Sequence, residues 1–155
     1  MLPAKTRKLI DDLPMGLNDH MHVVLTLAGE KPAADFVFPL SDTRKGKRKG
    51  YYTKTTVKKT ARILEQLGLS VIQGKEYSFT RRLNKKKRTF RYIAIYISRD
   101  REKAQELSKL LSRSRSKGGY RFGILNGYPE TAVSAYMKAE RKGTKALLEQ
   151  KILIP

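Results

Sequence analysis

Residues Thr89–Ser98, TFRYIAIYIS, decide how this chain folds. Ile93, Ile95 and Ile97 fall on one side of an extended backbone, while Phe90, Tyr92, Ala94 and Tyr96 fall on the other. Both sides are apolar, so the segment reads as a central strand with packing on each face rather than an edge strand with one wet face. On its N-terminal side, Asn84–Lys87 is a charged turn. Before that turn, Leu69–Leu83 begins extended at LSVI, kinks near Gln73-Gly74 and resumes as EYSFTRRL. The two extended runs therefore read as a hairpin.

On the C-terminal side, Ser98 or Asp100 supplies a cap for a helix with an apolar stripe at Ala104, Leu107 and Leu111. SRSRSKGG follows as a basic linker, and YRFGIL reads as a short last strand. Pro129 suits the first helical position of PETAVSAYMKAERKG, whose small residues Ala132, Ala135 and Ala139 share a face. Gly143 ends that helix, and Thr144 caps a short tail helix through Leu147, Leu148 and Ile152. Towards the N-terminus, DFVFPL (35–40) and the β-branched run HVVLTLAG (22–29) read as strands of a second hairpin. Residues 1–20 have only weak helical spacing, at Leu9, Ile10 and Leu13.

Between the hairpins lies RKGKRKGYYTKTTVKKTAR, Arg44–Arg62, which holds nine Lys or Arg residues. No acid occurs between Asp42 and Glu65. Projected at helical spacing, Val57, Ala61, Ile63, Leu64 and Leu67 share one arc, and Lys54, Lys58, Lys59 and Arg62 the opposite one. Thr53 can cap this helix, and Gly68 can end it. Ahead of it, Arg44, Lys45, Lys47, Arg48 and Lys49 sit in a glycine-flanked loop that leads to Tyr51 and Tyr52. A second cationic cluster, Arg81, Arg82, Lys85, Lys86, Lys87, Arg88 and Arg91, gathers at the tip of the 69–98 hairpin.

From Asp35 onwards the order is strand, helix, strand, strand, helix, strand, helix. This implies an α+β fold with a single mixed or antiparallel sheet and helices on one face, in a ferredoxin-like (split βαβ) layout followed by C-terminal helices. The expected organisation is an N-terminal arm (1–20), a basic α+β domain (21–125) and a C-terminal helical extension packed on that domain (126–155).

Composition bears on partners rather than fold. The chain has 155 residues, with 34 Lys and Arg against 14 Asp and Glu, and its formal net charge is +20. A field of that size attracts polyanions. There is no cysteine, which excludes disulfides, thiolate metal sites and cysteine nucleophiles. No apolar run approaches the length of a membrane span, and MLPAKTRKLIDDLPMG lacks the apolar core of a signal peptide. The expectation is a cytoplasmic protein without cofactor, metal or membrane partner.

KRTFRYIAI resembles, in its basic start and alternating aromatics, the ribonucleoprotein motif of RNA-recognition modules. It lacks that motif's glycine, and HVVLTLAG offers no partner aromatic. What the resemblance implies is base stacking on Phe90, Tyr92 and Tyr96. Asp19-His20-Met21-His22 would place two imidazoles on one side of a strand, yet no third ligand accompanies them. Asn126-Gly127-Tyr128-Pro129-Glu130-Thr131 joins a strand to a helix start, where Asn126, Gly127, Tyr128 and Thr131 could bind a phosphate. The expected function is nucleic-acid binding, with RNA favoured over DNA. The phosphate backbone would be gripped by the basic loop-helix 44–62 and the hairpin 81–91, without catalysis. Two alternatives remain. One is a small enzyme acting on a phosphorylated or nucleic-acid substrate at the 126–131 turn, with His20, His22 or Glu130. The other is a structural component of a larger ribonucleoprotein.

Overall fold

The computed structural model describes residues 2–41, 51–111 and 115–141. The element order is α1 (Ala4–Asp11), α2 (Leu17–Ala28), β1 (Ala33–Pro39), α3 (Lys54–Gln66), β2 (Ser70–Gln73), β3 (Tyr77–Leu83), β4 (Lys86–Ser98), α4 (Arg101–Leu111), α5 (Arg115–Leu125) and α6 (Glu130–Arg141). The fold is α+β, built on one antiparallel sheet.

β4 is the centre of the sheet. Along one edge it pairs with β1, from Ala33↔Ser98 to Pro39↔Tyr92. Along the other it pairs first with β2, from Ser70↔Ser98 to Gln73↔Ile95, and then with β3, from Tyr77↔Tyr92 to Leu83↔Lys86. Between Gln73 and Tyr77 the edge carries one more residue than β4 does between Tyr92 and Ile95, so Gly74–Glu76 forms a bulge. The Gly74 amide still donates to the Ala94 carbonyl at 2.8 Å.

The alternation read from TFRYIAIYIS governs both cores. Ile93, Ile95 and Ile97 pack with Phe36 and Phe38 of β1, Val57 and Leu64 of α3, Val23 of α2 and Leu13. Ala94 and Tyr96, on the opposite face, pack with Leu107 of α4 and Leu125 of α5. Helices therefore lie on both faces of the sheet, not on one. The reason is that β4 is apolar on both sides, and each side needs a cover.

Two segments that read as strands are helices. His22–Gly29 belongs to α2, where Val23 and Thr26 are fully buried. The Thr26 hydroxyl donates to the His22 carbonyl one turn back, at 2.8 Å, and Gly29 ends the helix at φ 78°. Eight residues, five of them apolar, are too few for periodicity to separate strand from helix. YRFGIL is the second half of α5. A Cβ placed on Gly123 would lie 2.8 Å from Val133 Cγ2, and one on Gly119 would lie 3.0 Å from Met137 Sδ. These glycines, read as part of a linker and of a strand, are helical notches that let α6 approach α5. The face that α6 buries is accordingly Val133 and Met137, while Ala132 and Ala135 are exposed. With α5 in place of a last strand, the ferredoxin-like order is not completed. The tail helix expected through Leu147, Leu148 and Ile152 lies outside the described residues.

Candidate nucleic-acid interface

α3 forms where its charge pattern placed it. The Thr53 hydroxyl accepts the Thr56 amide at 3.1 Å as N-cap, and Gly68 follows the helix at φ 88°. Val57 and Leu64 are fully buried, so Lys54, Lys58, Lys59 and Arg62 all face solvent. The cationic face thus rests on a rigid support. Tyr52 is anchored in the body: its amide donates to the Pro39 carbonyl at 2.8 Å, and its ring meets Phe38 edge-on at 5.1 Å. Tyr51 is half-buried beside it. Arg44, Lys45, Lys47, Arg48 and Lys49 lie outside the described residues.

β3 and the N-terminal half of β4 leave the body as a two-stranded arm. All of β3 except Leu83 is exposed, and so is β4 from Lys86 to Thr89. Seven residues at ~3.3 Å per residue carry the tip about 23 Å outwards. The turn at the tip contains two residues, Asn84 at φ 49° and Lys85 at φ 63°, which is the primed turn that suits the twist of a hairpin. Asparagine tolerates that conformation. Lysine in the position usually taken by glycine costs on the order of 1 kcal/mol, and it holds a cation at the farthest point of the arm.

Residues directly opposite each other share a face, so the register divides the arm into two surfaces. One carries Ser78↔Arg91, Thr80↔Thr89 and Arg82↔Lys87, with the two threonine hydroxyls 3.0 Å apart. The other carries Tyr77↔Tyr92, Phe79↔Phe90, Arg81↔Arg88 and Leu83↔Lys86. Two of these seven pairs set like charges opposite one another, an arrangement that weakens a sheet. No acid occurs anywhere from Tyr77 to Arg99.

Glu76, in the bulge, joins the two cationic elements. Its carboxylate meets the Lys54 ammonium of α3 at 2.6 Å and the Arg91 guanidinium of β4 at 3.2 Å. The bond from Lys54 holds the Glu76 carboxyl below its usual range. Arg91 also donates to the Ser41 carbonyl at 3.4 Å. α3 and the root of the arm are therefore held together, which sets the cations of α3 beside the arm face that carries Arg91, Arg82 and Lys87. Sequence reasoning missed Glu76 because the kink at Gln73-Gly74 gave no sign of which strands the bulge would face.

The stacking residues expected on β4 separate. Tyr96 is buried beneath α4 and α5, and burial, followed by the nearby Asp35 carboxylate, pushes its hydroxyl up to about 12. Phe90 and Tyr92 remain half-exposed on the arm.

The 126–131 turn is spent on structure. The amides of Asn126, Gly127 and Tyr128 donate to the carbonyls of Phe122, Ile124 and Gly123 at 3.0–3.1 Å. Gly127 sits at φ 81°, closing α5 with an αL cap. Asn126 is buried, and its side-chain amide donates to the Phe122 carbonyl at 3.1 Å. The Glu130 carboxylate, in the first turn of α6, accepts the Tyr120 hydroxyl at 2.7 Å. Tyr128 and Thr131 point into solvent. The two histidines lie two residues apart on helix α2 rather than on a strand, so their rings diverge. His20 Nε2 bonds the Leu13 carbonyl at 3.0 Å, and Lys31 Nζ bonds His22 Nδ1 at 3.2 Å. Among the described residues no group of three or more His, Cys, Asp or Glu could hold a metal ion, and no helix is long and apolar enough to cross a membrane.

Around His22 the fold assembles a half-buried polar cluster. Burial lowers the Lys31 ammonium, against the attraction of Asp35. Burial raises the Asp35 carboxyl, against Lys31, a bond from Asn126 and the charge of His22. This cluster ties α2, β1 and the α5–α6 turn together.

No protein family, curated protein or solved structure matches the chain.

Proposed function

We propose that this protein binds nucleic acid, RNA in preference to DNA, by neutralising its phosphates with the cationic face of α3 and the β3–β4 arm. The observation that carries this reading is the pairing on the arm. Arg81 faces Arg88 and Arg82 faces Lys87 on an exposed ribbon, with Lys85 held at a positive φ at its tip. Each feature weakens the isolated arm, and each becomes favourable once a polyanion lies along it. A two-stranded ribbon fits a groove of a duplex or spans adjacent phosphate rows. The half-exposed aromatics Phe90 and Tyr92 favour RNA, whose unpaired segments offer bases to rings. Phosphate contacts position a ligand without reading its sequence, so selectivity rests on shape.

The test exploits opposite effects on stability and binding. In the double variant Lys87→Glu/Arg88→Glu, Arg82 and Arg81 each gain an acidic partner. Opposite-charge cross-strand pairs contribute roughly 0.2–1 kcal/mol each, so the Tm rises or holds. Affinity for RNA falls at least about tenfold, because cationic contacts become repulsive. A variant that binds as tightly as the parent protein overturns the reading.

A further inference from the structure

One face of the arm carries more than charge. Tyr77, Tyr92, Phe79 and Phe90 form a column of rings: Tyr77 to Tyr92 at 5.5 Å, Tyr92 to Phe79 at 5.4 Å and Phe79 to Phe90 at 5.4 Å. Their planes differ by 21°, 6° and 29° respectively. Parallel rings in contact are separated by about 3.5 Å along their normal. A centroid distance of 5.4 Å therefore implies a lateral slip of roughly 4 Å, and each ring covers only the rim of the next. Phe90 and Tyr92 are half-exposed. Tyr77 and Phe79 are 47% and 46% exposed. α4 and α5 cover the same sheet face at Ala94 and Tyr96, and on the arm no described helix continues that cover.

The next residues along this face, towards the tip, are Arg81 and Arg88. A row of partly exposed rings that runs directly into a pair of guanidinium groups is complementary to a strand of unpaired bases with its phosphates alongside. A purely apolar partner would have to bury those two cations unpaired. Cross-strand ring pairs also steady a hairpin that projects into water. That role accounts for the rings touching one another, but it requires neither their exposure nor the adjoining arginines.

From this juxtaposition we infer that the Tyr77–Tyr92–Phe79–Phe90 column is a stacking platform for the bases of a single-stranded nucleic acid, with Arg81 and Arg88 taking the adjoining phosphates. The inference rests on the nucleic-acid reading above and adds the ligand class: unpaired bases rather than a bare phosphate backbone.

Two single-stranded oligonucleotides of about twelve residues, one of thymidine and one abasic, separate charge from stacking, since both carry the same phosphates. The platform predicts that the thymidine strand binds at least about tenfold more tightly than the abasic one. Phe79→Leu keeps an apolar residue but no ring, and should shrink that gap severalfold while leaving the salt dependence of binding unchanged. Tyr77→Leu serves as a second variant, and the Tm of each confirms that the arm is intact. Equal affinity of the parent protein for both strands overturns the platform and leaves phosphate binding standing. No binding of either strand overturns the platform, and absence of RNA binding as well overturns both.

Discussion

Asp35 shows how one residue can serve the fold at an electrostatic cost. It lies on β1 directly opposite Tyr96, with Lys31, His22, Tyr77 and Asn126 as the polar groups that face it. Burial outweighs the attraction of Lys31, so its carboxyl titrates above the ordinary value of 3.8. The sign follows from linkage. Above 3.8 the unfolded chain has released a proton that the folded chain still holds, so stability falls as the pH rises through the folded value. Asn resembles the protonated carboxyl in shape. The Asp35→Asn variant should therefore melt at a higher temperature than the parent protein at pH 7, and the difference should close as the pH approaches 4. A variant less stable at pH 7 would mean that Lys31 needs the carboxylate more than burial opposes it. At this scale the sequence was only partly legible. His22 and Asn126 stood out as polar residues, but Asp35 and Lys31 joined them only through the tertiary fold.

At the scale of elements, legibility followed the length and purity of each pattern. α3 was readable because its apolar and cationic arcs separate cleanly, with Thr53 and Gly68 marking its ends. β4 was readable because ten residues alternate without interruption. α2 and α5 were not: the first is a short apolar run, and the second hides its helix behind glycines that look like linker and turn. Tyr77 and Phe79 were overlooked although the signal was present. A two-residue turn at Asn84-Lys85 sets the pairing that brings Phe79 opposite Phe90. The α5–α6 contact makes a sharp prediction. Alanine is favoured over glycine within a helix by about 1 kcal/mol, yet a Cβ on Gly123 would stand 2.8 Å from Val133, a stiff β-branched side chain. Gly123→Ala should thus destabilise the protein by about 1–3 kcal/mol. Adding Val133→Ala should cost less than the sum of the two single changes. Thermal melts of the four proteins check this, and additive losses would mean that α6 can shift away freely.

For the whole molecule, the sheet separates the covered cores from the cationic surface. Its well-covered end holds both cores, α2 and the α5–α6 turn. The other end projects as the arm, and Glu76 fastens the root of that arm to Lys54 at the start of α3. On the proposed reading, cations fixed in this way need little ordering to engage a phosphate, which lowers the entropy cost of binding. Besides Lys54 and Arg91, which Glu76 pairs, the described residues of α3 and the arm supply Lys58, Lys59, Arg62, Arg81, Arg82, Lys85, Lys86, Lys87 and Arg88, enough to engage roughly six to ten phosphates. The most direct measurement is the affinity for RNA as a function of salt concentration. With that many contacts on a single strand, the slope of log K against log salt should lie near −4 to −7, at about −0.7 per phosphate. A slope near −1, equivalent to one or two phosphates, would contradict the account.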